Sequence, residues 1–353
     1  MRPVALLLAL LLALPAAARA EGLVIGRAVP LSGPYSIIGE QMRQGAAAAL
    51  ASSGAELVIV DDACSAASGE AAALRFIERE AAVAVGFVCT ESVEAALPAL
   101  SEAGIPVISP IIRTVSLTDR RERTGWPFFR LAPRGDAEHA AVARILIPRW
   151  HDDLFALIDD GTIYGRELVE SFRLEAETAG LEAVFVDTFR PQMENQIALM
   201  GRLARSGATH VLVGGDLEDV AIMARDAAEI GYDVVLAGGE ALRAAPGEVP
   251  LSAGILMIAP PEWSELAADT TLAALRQAGI EPDGYVLPAH AAVEIAVIAA
   301  AASEDGGDKI ADVLAARPFP TVIGPVAFDA QGDLDDFDFR LYRHDGQRFI
   351  PLE

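Results

Sequence analysis

The residue types that most often carry out chemistry are present, but they form no recognisable catalytic or metal-binding motif. Two acidic pairs, Asp61-Asp62 and Asp159-Asp160, each follow a predicted strand. Carboxylates there could act as general bases, but turns and helix caps are the commoner use of such residues, and we favour that interpretation. We expect the five histidines to be surface or hydrogen-bonded residues, because they have no metal-ligand spacing: His139, His151, His210, His290 and His344.

Sequence motifs for phosphate binding and for nucleophilic catalysis are missing. The chain has no GxxxxGK[ST], no GxGxxG after a strand and no GxSxG. Catalytic residues need not lie close together in sequence, so this absence argues only weakly against an enzyme. We predict a protein that is not an enzyme, with no cofactor and no metal.

Two cysteines, Cys64 and Cys89, stand in a chain that the N-terminus predicts to be exported. Two cysteines in an exported protein favour one disulfide bond. Two unrelated buried thiols remain the alternative, whereas a metal site lacks the usual CxxC or HxxxH spacing.

The N-terminus has the three parts of a signal peptide. Met1-Arg2 is a short positive region, residues 6–14 are almost unbroken Leu and Ala, and Ala18-Arg19-Ala20 is a cleavage site before Glu21. The apolar run is shorter than the roughly 20 residues of a membrane span. We therefore predict a signal peptide over residues 1–20 and a location in the periplasm. A later apolar stretch, residues 289–302, contains His290 and Glu294 and predicts a buried helix.

Net charge excludes one class of partner. Lys and Arg number 27 against 51 Asp and Glu, which gives −24. Such an acidic surface repels nucleic acid and anionic lipid, so we predict no nucleic-acid partner.

Short apolar runs alternate with longer amphipathic runs, and the pattern occurs twice. Continuous Val and Ile runs between helices indicate parallel strands that are buried on both faces. The predicted strands of the two sets cover residues 23–29, 56–61, 82–88 and 106–109, then 154–159, 182–186, 210–213, 233–237 and 255–258. The predicted helices include 140–149, 197–206 and 264–278. These are two doubly wound α/β lobes.

A chain of 353 residues suits two domains, and no Ser/Gly-rich linker separates the halves. We predict lobe 1 over residues 21–134 plus 262–325 and lobe 2 over 135–261 plus 326–353. In open α/β sheets, ligands bind beyond the carboxyl ends of the strands. The loops expected there contain Gly, hydroxyl groups and isolated charges: 30–39, 88–92, 110–117, 161–165, 214–218 and 238–242.

At these loops the chain resembles the leucine/isoleucine/valine-binding proteins of ABC transporters. No single match is specific, but their order and spacing are. The matching segments include Pro30-Leu31-Ser32-Gly33-Pro34, Asp61-Asp62-Ala63-Cys64, Gly104-Ile105-Pro106, Tyr164-Gly165, Gly214-Gly215, Gly238-Gly239-Glu240 and Ile323-Gly324-Pro325. The resemblance implies a type I periplasmic binding protein: two lobes joined by three crossovers, monomeric, closing on an amino acid that passes to a permease driven by an ATPase. It also implies the Cys64–Cys89 disulfide.

The resemblance also implies ligand contacts at individual positions. Thr90 stands where a hydroxyl binds the ligand carboxylate, and Val88 stands beside it at a backbone contact. Tyr164 stands where a tyrosine packs on the ligand, and Glu240 where a glutamate accepts the α-ammonium group. Ile111, in the loop 110–117, completes this set.

Three positions depart from the family pattern. Arg113 replaces a small hydroxyl residue, and Asp216 and Ile38 replace tyrosines. One hypothesis is that Arg113 binds a ligand carboxylate as a bidentate fork, so that the ligand is an acidic amino acid or another carboxylate. The other is that Arg113 and Asp216 pair with each other across the cleft and do not touch the ligand.

We therefore expect an exported solute-binding component of an ABC importer, with an amino acid or related carboxylate bound between the lobes. The alternative is a ligand-sensing regulatory module for amides or other small carboxylates, since the same fold serves such regulators.

Overall fold

A computed structural model describes residues 22–51, 53–245, 247–335 and 337–352. The predicted signal peptide, residues 1–20, lies outside the described residues. The chain forms two compact units, each built from three segments. Unit 1 comprises the described residues to Ile112 with Thr124–Leu131 and Ala268–Phe328, and unit 2 comprises Arg113–Arg123, Ala132–Ala267 and the described residues from Asp329.

The sheet of unit 1 is entirely parallel. Among its described residues, five strands lie in the order β2-β1-β3-β4-β5. The strands are β1 (Val24–Val29), β2 (Glu56–Asp61), β3 (Val83–Gly86), β4 (Val107–Ser109) and β5 (Phe128–Arg130). Because parallel strands end at one edge, the loops after β3 and β4 are neighbours.

Helices follow most of these strands, and the third segment of unit 1 adds more. The elements, numbered in chain order through both units, are α1 (Ser36–Leu50), α2 (Ala66–Glu78), α3 (Thr90–Glu102), α11 (Asp269–Gln277), α12 (Val286–Gly306), α13 (Ile310–Ala316) and the hairpin β11 (Phe319–Thr321) with β12 (Gly324–Val326).

Helix α12 is a core helix of unit 1. Its 21 residues are long and apolar enough to span a membrane. However, 61% of its apolar 18-residue stretch is buried inside the protein. A Cβ on Gly45 of α1 would lie 1.9 Å from the carbonyl oxygen of Val286, so the two helices touch backbone to backbone. The buried helix predicted for residues 289–302 is confirmed.

The sheet of unit 2 repeats the winding of unit 1. In its described part the order is β14-β13-β10-β9-β8-β6-β7, and the five strands from β10 to β7 are parallel. Counted from the first strand of each unit, both parallel parts have the order 2-1-3-4-5. The strands are β6 (Phe155–Asp159), β7 (Phe185–Thr188), β8 (His210–Gly214), β9 (Val235–Gly238), β10 (Leu256–Ala259) and the antiparallel β13 (Arg340–His344) and β14 (Phe349–Pro351).

Alternate residues of these strands enter two cores. Ala156 and Ile158 of β6 pack with α8 (Ile197–Ser206) and α9 (Leu217–Glu229), whereas Phe155 and Leu157 pack with α6 (Ala137–Leu146) and α7 (Ile163–Thr178). This two-residue period explains the continuous apolar runs, because both faces of the sheet are covered. The helices of unit 2 are α4 (Ser116–Asp119), α5 (Arg121–Thr124, whose last residue belongs to unit 1), α6 (Ala137–Leu146), α7 (Ile163–Thr178), α8 (Ile197–Ser206), α9 (Leu217–Glu229) and α10 (Trp263–Leu266).

The segment Arg113–Arg123 belongs to unit 2, although the sequence-based boundaries put it in lobe 1. Arg134 explains the attachment. Its guanidinium donates to Asp119 at 2.8 Å, to Asp333 at 2.9 Å and to Asp136 at 2.9 Å. One arginine therefore ties three stretches of unit 2 that are far apart in sequence.

Most predicted elements are confirmed to within a few residues, and the α/β class with two parallel sheets is confirmed. Two details differ. The predicted helix over 264–278 is two helices, α10 and α11, because Ala267 and Ala268 adopt extended backbone between them. Strand β5 was not predicted, since its three residues are too few to show a pattern.

Candidate functional site

In unit 2, three of the expected ligand residues lie at one edge of the sheet. Tyr164 follows β6, Asp216 follows β8 and Glu240 follows β9, and these three strands are neighbours. The winding thus brings together residues that are separated by more than 70 positions.

Asp216 immediately precedes helix α9 and caps it. Its side-chain Oδ1 accepts a hydrogen bond from the backbone N–H of Asp219 at 3.0 Å, the contact of an N-cap. The sequence pattern could not distinguish this role from a ligand contact.

Arg113 forms its ion pair with Glu240. Nη1 of Arg113 donates to Oε1 of Glu240, and both side chains are about one-third exposed. Nε of Arg113 donates to the carbonyl of Pro133 at 3.3 Å. The hypothesis that Arg113 pairs with Asp216 is therefore wrong for this structure, because Glu240 holds the guanidinium and the Asp216 carboxylate caps α9.

Glu138 lies behind this pair and connects it to Tyr164. Its side chain, only 2% exposed, accepts two hydrogen bonds at Oε1. One comes from the Tyr164 hydroxyl at 2.9 Å and the other from the backbone N–H of Glu240 at 2.6 Å. One carboxyl oxygen thus joins the start of α7 to the 3-10 helix Glu240–Arg243.

Sequence reasoning missed Glu138. The helix was predicted to begin at residue 140, which left Glu138 in a loop, whereas α6 begins at Ala137. The signal that could have found it is an acidic residue in the first turn of a helix, which is too common to be specific.

Burial and a neighbouring charge shift the acid–base behaviour of this cluster. Desolvation, helped by the charge of Glu240, raises the pKa of Glu138 to about 7, while its hydrogen bonds from Glu240 and Tyr164 oppose the shift. Burial and the nearby Glu138 carboxyl also raise the pKa of Tyr164. Tyr164 therefore stays protonated and can donate, and Glu138 changes charge near neutral pH.

Gly239 makes this arrangement sterically feasible. A Cβ at this position would lie 2.0 Å from Oε1 of Glu138 and 2.4 Å from the Tyr164 hydroxyl. Real Cβ atoms do not approach so closely, so the glycine permits the two hydrogen bonds to form against the backbone.

In unit 1, the expected residues also lie after neighbouring strands. Val88 and Thr90 follow β3, and Ile111 follows β4. Thr90 is the first residue of α3, and Val88 packs with Ile38 against the small core of Val29, Met42 and Ala289. The backbone N–H of Ile111 donates to Oγ of Ser109 at 3.4 Å.

The predicted disulfide between Cys64 and Cys89 is confirmed. It ties the loop after β2 to the residue before α3. Beside it, Oγ of Ser92 donates to Oδ2 of Asp62 at 2.6 Å, and both residues are fully buried. The start of α3, where Thr90 lies, is held by a covalent bond and a buried hydrogen bond.

The acidic pairs stabilise turns, as the sequence interpretation favoured. Oδ1 of Asp61 accepts from the backbone N–H groups of Leu31 and Ala63 at 2.9 and 3.0 Å. Asp159 and Asp160 accept from backbone N–H groups two residues further on, at 2.8 and 2.9 Å.

Residues 22–346 match the family described as periplasmic binding protein. The chain belongs to this family. Its members are solute-binding proteins, and the two similarly wound parallel sheets agree with that fold.

Individual relatives cover nearly the whole chain. A leucine-, isoleucine-, valine-, threonine- and alanine-binding protein of Pseudomonas aeruginosa is 27% identical over 92% of this chain and 90% of its own. A putative branched-chain amino acid ABC transporter protein of Rhodospirillum rubrum has a similar structure, with a TM-score of 0.77 and 17% identity, over 94% of this chain and 99% of its own. A solute-binding protein of Rhodopseudomonas palustris, solved with p-hydroxybenzoic acid, has a TM-score of 0.64 and 18% identity, over 93% and 97% of the two chains.

Proposed function

We propose that this protein is the solute-binding component of an ABC importer, exported to the periplasm, and that it binds a small carboxylate. The ligand is an amino acid of the branched-chain type or a related acid. Family membership over residues 22–346 supports the transport role. The relatives support the ligand class, since one is named for aliphatic amino acids and another is solved with an aromatic acid.

The Arg113–Glu240 pair is the main observation that supports a carboxylate as the ligand. A guanidinium presents five N–H donors in a planar fork that fits a carboxylate. Two of its nitrogens are engaged by Glu240 and Pro133, and Nη2 has no hydrogen-bond partner among the described residues. That nitrogen can donate to a ligand carboxylate, and Glu240 can accept from a ligand ammonium group.

Residues of unit 1 complete the proposed contacts. Thr90 supplies a hydroxyl and a backbone N–H at the first turn of α3, where anions are stabilised by the helix. Val88 and Ile111 supply backbone groups and apolar surface. In unit 2, the ring of Tyr164 supplies apolar surface while its hydroxyl donates to Glu138, and Asp216 acts by fixing the start of α9. The permease and ATPase are the proposed partners, and the protein is proposed to act as a monomer without catalysis.

The test is ligand-induced thermal stabilisation of the mature protein after refolding to remove bound solute. The compounds are aliphatic amino acids, L-glutamate, dicarboxylates, benzoates and amides. A ligand present at 100 times its Kd adds about 2.7 kcal/mol to the free energy of unfolding. Stabilisation by no compound would contradict the proposed function.

Arg113→Ala then tests the residue assignment. We expect at least tenfold weaker binding of the stabilising carboxylate, because a hydrogen bond to a charged group contributes about 1.5–3 kcal/mol. The matched control is Arg166→Ala, which removes an exposed arginine from helix α7 of the same unit. Unchanged binding in Arg113→Ala would contradict the role of this residue.

A further inference from the structure

Glu138 is a buried acid that the proposed function does not use. It lies in the first turn of α6 and is 2% exposed, too deep to be a surface residue of the site. Its Oε1 accepts both hydrogen bonds described above, from Tyr164 and from the backbone of Glu240. Two residues of the proposed ligand site are therefore attached to a third that no sequence motif indicates.

We propose that Glu138 is a positioning residue of the ligand site, acting through Tyr164 and Glu240, and that the proton on its carboxyl group sets the affinity for an anionic ligand. This inference rests on the proposed function, because it requires the ligand to bind at Arg113 and Glu240.

The two hydrogen bonds to Glu138 support its role in positioning the ligand site. Tyr164 belongs to α7, and the donating N–H of Glu240 opens the 3-10 helix after β9, so Oε1 of Glu138 fixes two loops relative to each other. Gly239 leaves no space between these groups, since even a methyl group there would overlap both oxygens. A displacement of Glu138 therefore moves the backbone from which the Glu240 side chain extends.

The charges around Glu138 support its effect on the affinity for an anionic ligand. Within the part of the chain that the structure describes, the charged and titratable groups that act on Glu138 are Glu240 from the 3-10 helix, Tyr164 from α7 and Arg113 from the segment after β4. With Glu138 ionised, two carboxylates share one guanidinium and the cluster has a net charge of −1. With Glu138 protonated the cluster is neutral, because Tyr164 keeps its proton. An anion is thus held more tightly when Glu138 is protonated.

The pKa of Glu138, about 7, places this change in charge near neutral pH. Affinity for an anion should fall as the pH rises through 7. In a medium of effective dielectric about 20, one added charge a few ångströms from the ligand changes the affinity by on the order of tenfold or more.

The experiment is calorimetric titration with benzoate, L-glutamate and L-leucine between pH 5.5 and 8.5. Benzoate and L-glutamate are net anions throughout this range, and L-leucine has no net charge. The wild-type protein should bind whichever anion it accepts about tenfold more weakly at pH 8.5 than at 5.5, with a smaller change for L-leucine.

Glu138→Gln is the decisive variant. Its amide oxygen can accept the same two hydrogen bonds, and it has the charge of the protonated acid, so its affinity should stay near the wild-type value at pH 5.5 throughout. His139→Gln, which replaces the neighbouring side chain on α6, should keep the wild-type profile. Tyr164→Phe should bind more weakly and show a profile shifted to higher pH. The hydrogen bond from Tyr164 lowers the pKa of Glu138 in the wild type, so its loss raises that pKa.

The outcomes separate the two proposals. A pH profile that is flat in the wild type, or the same in Glu138→Gln as in the wild type, overturns this inference and leaves the proposed function standing. Tyr164→Phe gives an independent result if Glu138→Gln does not fold, and an unshifted profile there also overturns it. Binding of no probe and no other carboxylate contradicts both.

Discussion

Gly165, at the start of α7, lies backbone to backbone against Gly214, at the end of β8. A Cβ on Gly165 would be 2.4 Å from the carbonyl oxygen of Gly214, and a Cβ on Gly214 would be 2.3 Å from that of Gly165. Neither glycine has a positive φ, so the requirement is for space and not for a special conformation. This contact brings the first turn of α7, with Tyr164, onto the carboxyl edge of the sheet.

We expect Gly214→Ala to lower the free energy of unfolding by about 2–4 kcal/mol, because two backbones must separate to admit the methyl group. Urea denaturation measures the loss. Gly201→Ala is the matched control: this glycine lies inside α8 with its nearest neighbour at 3.6 Å, so alanine should stabilise by up to about 1 kcal/mol. Equal stability of Gly214→Ala and wild type would contradict the close contact.

Removing the disulfide with Cys64→Ser and Cys89→Ser together should destabilise the protein by about 3–4 kcal/mol. Cys64 and Cys89 are 25 residues apart, and a closed loop of that length reduces the entropy of the unfolded chain by a corresponding amount. Urea denaturation of the double variant, beside wild type with and without a reductant, measures the effect. If reduction leaves the midpoint unchanged, the bond contributes no stability.

We expect Arg134→Ala to lower the free energy of unfolding by about 3 kcal/mol, because it removes an arginine donor from the carboxylate of Asp333, whose side chain is 5% exposed. Arg173→Ala is the control. Arg173 also pairs with two acids, Glu170 and Glu177, but on the solvated face of α7, and we expect little change there. Thermal denaturation measures the loss of stability in both variants. Similar losses would mean that the burial of Asp333 does not increase the stability contributed by Arg134.

The stability of the protein should also depend on Glu138. Its pKa is raised from 4.5 to about 7 in the folded state, so folding favours the protonated form. The free energy of unfolding should be unaffected by this group below pH 4.5 and should fall as the pH rises to 7, by on the order of 3 kcal/mol. Glu138→Gln should lack this part of the pH dependence in denaturation series from pH 4 to 8. If the free energy of unfolding depended on pH in the same way in the variant and the wild type, the pKa of Glu138 would not be raised by folding.

The periodicity of the sequence was sufficient to predict four of the five strands of the first sheet and the five parallel strands of the second. Strand β2 and helix α8 match their predicted bounds, because turn residues flank a clear apolar pattern. The separate attachment of Arg113–Arg123 to unit 2 could not be predicted. It depends on the Arg134 network, which joins residues more than 190 positions apart and leaves no local pattern.

For the site, the apolar pattern indicated the loops at the carboxyl edges of both sheets, because strand ends are visible in it, and the family resemblance indicated the residues within those loops. It did not find the partner of Arg113. The sequence shows that Asp216 and Glu240 are both present as possible partners of Arg113. Which of the two lies close to the guanidinium is determined by the fold. Glu138 was missed for the same reason, since burial distinguishes it from other acids at helix starts.

The close contact between α1 and α12 has a consequence for biosynthesis. Synthesis proceeds from the N-terminus, and Val286, against which Gly45 packs, is made after all five strands of the first sheet and most of unit 2. Until α12 emerges, the face of the first sheet that it covers stays exposed to solvent. Unit 1 therefore cannot complete its core while the ribosome is still making unit 2, and the chain remains partly unfolded for most of its translation.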